Sequence, residues 1–385
     1  MDANTTYDTD SVDCGYFEGY TMQRFVIIVC FSVISVFGVA ANTLLMAVFW
    51  RTLPSSVFLA ILSVMDMLIC LTYVLLFGVD AGVLYLKSTT LFFLYHRYIV
   101  PVFYIAKVVQ FAIPFLLILI TFERFIWTTE EKTRLLFAPV FNDRGRSITG
   151  TSLIVISSIL RLPMLFATTV KDFPECPDYF RSESVSPADW VEDSQAFLIF
   201  DAYIITALQM FFPFLILLFL NLVIVQRLMA EKREHLSIKP RLSNFGVQSN
   251  NSSSALPENY VLLEVAAEVI KESLIQRSSR GKQAQIRNAI YTMIAIVTSY
   301  LVCNGVHLFV TILEKSDPSF LYESDDRNQS SNFYIALSDT VSILYMVTSV
   351  IRILIYCKCN PKLRKEIMDY LTHAKKQSMV DDNSD

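Results

Sequence analysis

The chain has 385 residues, of which 54% are hydrophobic and only 18% charged, with 32 Lys and Arg against 36 Asp and Glu and a net charge of −4. Soluble domains carry nearer a quarter of charged residues, which excludes an ordinary soluble protein. Without a basic excess no nucleic-acid partner is expected.

The apolar residues fall into seven runs, at 25–49, 57–77, 97–126, 148–170, 197–225, 286–313 and 333–356. About 20 apolar residues cross a bilayer as a helix, and a helix satisfies its own backbone hydrogen bonds there. The expected fold is an all-α membrane protein, a seven-transmembrane helix bundle over 24–357 that follows an N-terminal segment, 1–23. That segment is acidic and polar and lacks the basic and apolar parts of a signal peptide, so the first span is expected to direct insertion. A cytoplasmic tail, 358–385, opens with a short amphipathic eighth helix at 360–371. This helix is apolar at Leu363, Ile367, Tyr370 and Leu371 and basic at Lys362, Arg364 and Lys365, a pattern that lies along a membrane surface.

Orientation follows from the basic residues. With the loop after residue 49 placed in the cytoplasm, 22 of them fall inside and 7 outside, while Lys107, Arg161 and Arg352 lie within spans. This bias puts the N-terminus outside and the C-terminus inside, as in a multi-pass plasma-membrane protein. The acids divide as 18 outside and 15 inside, with Asp66, Asp201 and Asp339 in spans. The resulting outer charge of −11 steers cationic ligands. Asn4 and Asn328 head glycosylation sequons on that side.

Charged groups inside a span face other helices or water rather than lipid. The central run therefore turns Lys107, and with it Gln110 one turn on, toward a bundle interior. It ends in Glu123-Arg124-Phe125. Asp66 in the second run needs a partner at that depth, and Asn42 in the first is one candidate. In the outer half, Lys107, Gln110, Asp201, Asn304, His307 and Asp339, with Tyr104 and Phe111 as apolar wall, make a candidate ligand-binding site. Solvated loop carboxylates are the alternative for Asp201 and Asp339, and a packing histidine is the alternative for His307.

The loop at 127–147 carries charges of both signs, and 171–195 is an acidic outer loop. The third inner loop, 229–285, is the longest. Its Asn- and Ser-rich part at 243–259 reads as disordered, while 261–275 has helical apolar spacing. Cys30, Cys70 and Cys303 lie in spans, and Cys357 and Cys359 face the cytosol as candidates for palmitoylation. Cys14 and Cys176 remain on the outer side, either as a bridge or as two free or intermolecular thiols.

Together these features resemble the rhodopsin-like (class A) G-protein-coupled receptors. The residues that carry the likeness are Gly38 with Asn42, Leu62 with Asp66, Glu123-Arg124-Phe125, Pro213, Tyr356 and the helix after Asn360. Within that class the chain is similar to invertebrate FMRFamide-type neuropeptide receptors through Leu162-Pro163-Met164-Leu165-Phe166, Phe212-Pro213-Phe214 and Leu301-Val302-Cys303-Asn304. It departs at Arg352-Ile353-Leu354-Ile355-Tyr356, where the family has Asn-Pro-x-x-Tyr. It departs again at Cys303-Asn304-Gly305-Val306, where the family has Cys-Trp-x-Pro, and at Ile99, where the family has a cysteine.

The resemblance implies an extracellular ligand, a neuropeptide with an amidated Arg-Phe end, and activation of a heterotrimeric G protein. Glu123, Arg124 and Tyr356 would form the coupling switch, with Glu123 holding Arg124 at rest. Arg352 stands where the family has an amide facing the mid-membrane acid, which implies an Asp66–Arg352 ion pair. One alternative keeps the fold and makes the ligand a small secreted molecule, as in chemosensory receptors. A more distant one is a transporter or channel, but the helices show no repeated halves and the chain has only 10 Gly. With 4 His in all, no enzyme activity, cofactor or metal site is expected.

Overall fold

The computed structural model describes residues 14–15, 21–52, 56–127, 129, 131–243, 287–313 and 332–381. Asn4, Asn328 and the 244–286 part of the long loop lie outside these. Seven helices are long and apolar enough to cross a membrane: Met22–Arg51, Val57–Leu86, Thr89–Trp127, Asp143–Ala167, Gln195–Arg227, Arg287–Leu313 and Ile335–Cys359. They are called the first to seventh helices here. Around the bundle, Phe37, Ile159, Phe219, Phe309 and Leu354 point outward and are each more than half exposed. This is the arrangement an apolar solvent requires. The third helix is the axis, with 61% of its most apolar stretch buried against 22% in the first and fourth.

That axis starts earlier than its apolar run, at Thr89 instead of residue 97, and reaches 39 residues. At 1.5 Å per residue this is about 58 Å, roughly twice a hydrocarbon core. Beyond the membrane a helix needs no apolar composition, so His96 and Arg97 continue it. The fifth helix widens into two π-turns, Phe200–Ile205 and Ala207–Phe211, just before Pro213. Proline cannot donate to the carbonyl four residues back, and its ring crowds that carbonyl, so the preceding turn expands.

The connections hold structure that composition hid. Glu131–Phe141 is helical and rests Phe137 and Phe141 on Phe122 of the third helix, at ring distances of 5.3 and 6.1 Å. Asn142 caps the fourth helix by accepting from the Gly145 amide at 2.6 Å. That helix ends at Ala167, short of the expected residue 170, because Thr168, Thr169 and Val170 enter a strand. Strand β1 (Thr168–Asp172) pairs antiparallel with β2 (Glu183–Pro187), Val170 opposite Val185.

The hairpin sits on the start of the third helix, where Phe92 packs against Tyr179 and Phe180. Of the two options for the outer-loop cysteines, the structure has the bridge: Cys14 and Cys176 form a disulfide. Beside it, the Gly15 amide donates to the Arg181 carbonyl, and Arg181 Nε donates back to the Gly15 carbonyl, both at 3.0 Å. The N-terminal segment is thus fastened to the hairpin. This end of the bundle is called the disulfide end below.

The largest core cluster lies toward the opposite end. It joins Leu45 and Phe49, Phe58 and Leu62, Leu116 and Ile120, Leu217, Ile296 and Tyr356. After Cys359 the helix Pro361–Asp381 buries Leu363 and Ile367 in the same cluster, with the Asn360 side chain accepting from the Leu363 amide at 3.2 Å. It runs well past residue 371.

Gly38 lets the first, second and seventh helices meet. A β-carbon there would lie 2.6 Å from Val350 Cγ2 and 2.7 Å from Cys70 Sγ. Overpacking of this kind costs about 1–3 kcal/mol. Gly38→Ala is expected to lower the melting temperature of the detergent-purified protein by several degrees, whereas Gly82→Ala, with open space around it, should leave the midpoint within a degree or so.

Candidate functional site

Asp66 and Arg352 lie at the centre of the bundle, their side chains 2% and 1% exposed. Arg352 Nη1 donates to both carboxylate oxygens at 2.5 Å, and the Ser349 hydroxyl donates to Oδ1 at 2.8 Å. Asn42 is not the partner of Asp66. Its amide nitrogen donates to the carbonyls of Gly38 and Ser349, at 3.0 and 3.2 Å. A guanidinium outcompetes a neutral amide for a buried carboxylate because the hydrogen bond it makes is charge-assisted. Asn42 instead fixes the turn of the seventh helix that delivers Ser349 and Arg352.

Toward the disulfide end, polar side chains from five helices meet. Arg161 of the fourth helix donates through Nη1 to Asp201 at 2.9 Å and through Nη2 to the Gln209 side-chain oxygen. Its guanidinium carbon lies 5.6 Å from the centre of the Phe111 ring. Gln209 also approaches the Tyr345 hydroxyl. That hydroxyl donates to Asn304 Oδ1 at 2.9 Å and stands 2.9 Å from His307 Nδ1. One hydroxyl of the seventh helix thus joins two residues of the sixth, Asn304 and His307. Asn304 completes its bonding by donating to the Tyr300 carbonyl at 3.1 Å. Lys107 of the third helix lies 4.9 Å from the Phe103 ring centre and near enough to His307 for its charge to act there.

The structure thus brings together Lys107, Phe111, Asp201, Asn304 and His307. Gln110 is half-buried on the Lys107 face and makes no side-chain hydrogen bond among the described residues. Tyr104 is not part of the wall: its hydroxyl reaches the Ser158 carbonyl of the fourth helix at 2.9 Å. Asp339 is held elsewhere, by a forked pair with Arg24 of the first helix at 2.7 and 3.0 Å. Asp201 and Asp339 are therefore paired carboxylates rather than solvated ones. Arg161, Gln209, Tyr345 and Arg24 were not foreseen as site residues. Arg161 carried a signal, because a cation inside a span demands a partner as much as Lys107 does. Tyr345 and Gln209 carried none.

At the opposite end the expected pairing of Glu123 with Arg124 is absent. Glu123 Oε1 accepts from Arg146 of the fourth helix, from Nε at 3.0 Å and Nη2 at 2.6 Å. Adjacent side chains on a helix do not face each other, so Glu123 reaches Arg146 of the fourth helix and makes no hydrogen bond to Arg124. Tyr356 is buried with its ring 5.4 Å from that of Phe49.

The chain matches no known protein-family model and no curated protein sequence. The site is therefore read from its own chemistry.

Removing one member of a buried ion pair strands the other charge and costs about 3–5 kcal/mol, whereas removing both is far milder. Asp66→Asn and Arg352→Gln should each cut the yield of folded protein severely, and the double variant should recover much of it, as judged by monodisperse yield and thermal midpoint. A double variant no better than either single one would disprove the coupling. Glu123→Gln and Arg146→Gln should each lower the midpoint too, with non-additive effects.

Proposed function

We propose that this chain is a rhodopsin-like G-protein-coupled receptor of the plasma membrane, with the disulfide end outside. An extracellular ligand, a neuropeptide, binds at the Arg161–Tyr345 cluster, and a heterotrimeric G protein is activated at the Arg124 end. The observation that carries this reading is the convergence of polar side chains from the third to seventh helices on one largely buried cluster, three of them (Lys107, Arg161 and Asp201) charged. Ionisable groups enclosed in a seven-helix bundle are costly and mark functional sites. Motions at the cluster have a route inward, because Tyr345 bonds the sixth helix from one face of the seventh while Arg352 of the same helix holds Asp66. The residues resembling the family's coupling motif stand at the far end of the third helix.

The peptides to which the resemblance points end in an amidated Arg-Phe, and the −11 outer charge suits a basic ligand without a free carboxylate. One observation favours a small-molecule ligand instead. Two acids at the disulfide end of the spans are already engaged by the protein's own guanidinium groups, Asp201 by Arg161 and Asp339 by Arg24. A cationic peptide has to compete for them, whereas a small polar ligand does not.

The two readings separate in a cell assay with a promiscuous G protein as reporter, in which libraries of amidated peptides and of secreted small metabolites are screened in parallel. Once an agonist is found, Arg161→Gln and Tyr345→Phe should shift its half-maximal concentration upward at least tenfold. Val155→Ala on the exposed face of the fourth helix should leave it unchanged. No response from either library, with the protein verified at the cell surface, would count against the receptor reading.

A further inference from the structure

The contacts of Arg124 differ from those its sequence neighbourhood suggests. The residue is 7% exposed, and the adjacent carboxylate hydrogen-bonds Arg146 through Oε1 rather than Arg124. Instead the guanidinium carbon lies 3.9 Å from the centre of the Trp127 ring. Residues three apart share a helix face, so the indole lies over the guanidinium from the direction of the helix end. Its Nε donor finds no acceptor among the described residues. One residue from Arg124, Phe125 receives Arg227 of the fifth helix at 4.7 Å. The mouth of the bundle at this end is thus framed by two arginines on two aromatic rings.

We propose that Trp127 is a gate on Arg124: the indole face retains the guanidinium at rest, and it yields to a partner that brings a hydrogen-bond acceptor to the unsatisfied Nε. This rests on the receptor reading above and adds the regulation of its coupling end. The physical reasoning is direct. An aromatic face stabilises a partly desolvated cation without accepting a hydrogen bond along the N–H directions. It therefore compensates the charge of Arg124 while leaving its donor unused. A main-chain carbonyl or a terminal carboxylate of the partner supplies both charge compensation and the missing acceptor, so exchange is favourable once such a group arrives. The nearest carboxylate, Glu123, makes no hydrogen bond to Arg124; its Oε1 accepts twice from Arg146, at 3.0 and 2.6 Å. Restraint of Arg124 and clamping of the third helix to the fourth are thereby divided between two residues, Trp127 and Glu123.

The test uses the full chain in lipid nanodiscs without ligand and measures GDP–GTP exchange on a panel of purified heterotrimers. Trp127→Leu keeps apolar bulk and loses the ring, and Trp127→Phe keeps a weaker ring. Basal exchange is expected to rise in the order wild type, Trp127→Phe, Trp127→Leu, with the last roughly three- to tenfold above wild type, as fits a cation–aromatic contact of ordinary strength. Thermal midpoints taken alongside show which variants are folded, and should Trp127→Leu fail to fold, the comparison of wild type with Trp127→Phe still decides. Equal exchange in folded wild type and variants, measurable in all of them, overturns the gate and leaves the coupling reading intact. No exchange on any heterotrimer in any arm overturns the coupling reading and the gate with it.

Discussion

A carboxylate and a guanidinium in the middle of an apolar bundle decide much of this architecture. Neither Asp66 nor Arg352 can reach water, and each side chain is at least 98% hidden. Isolated, either ion would carry a desolvation penalty of several kcal/mol. Together they lock the second helix to the seventh at one register, because sliding by a single turn would part them. The helper groups follow the same logic. Ser349 supplies another donor to the carboxylate, and Asn42 grips the Ser349 carbonyl, so the first helix enters the arrangement. Gly38, one turn from Asn42, removes the side chain that would hold those helices apart.

Charges elsewhere in the bundle obey the same rule of local neutralisation. Arg161 finds Asp201, Arg24 finds Asp339 and Arg146 finds Glu123. Each pair joins two helices that are distant in sequence or separated by a loop. Arg124 differs from these pairs, its guanidinium lying over the Trp127 ring with no carboxylate in hydrogen-bond reach among the described residues. Buried pairs specify which helix faces touch rather than adding much net stability, and here they fix the neighbours of the first, third, fourth, fifth and seventh helices.

How much of this was legible in the chain depends on the physical signal. Seven apolar runs announce seven helices because length and hydropathy are set by the thickness of the lipid. The ends of those helices are not, since polar residues continue a helix freely outside lipid, as His96 does by donating from Nδ1 to the Phe92 carbonyl at 3.0 Å. The Glu131–Phe141 helix contains Pro139 and several charges and owes its position to Phe122, a tertiary contact no local pattern displays. Lys107, Asp201, Asn304 and His307 could be placed in one region from depth alone. The bonding order among them could not. Tyr345 reads as one more aromatic of a span, yet it joins three of the residues in the cluster, and Arg146, 23 residues from Glu123, reads as an ordinary loop cation.

The great length of the third helix has a mechanical corollary. A rod near 60 Å in a film half as thick behaves as a lever with a lipid fulcrum. One arm carries the disulfide-tied hairpin on Phe92, and the other carries the loop helix on Phe122. A tilt imposed at one tip passes to the other through Pro101 and Pro114, the two points at which the rod can bend.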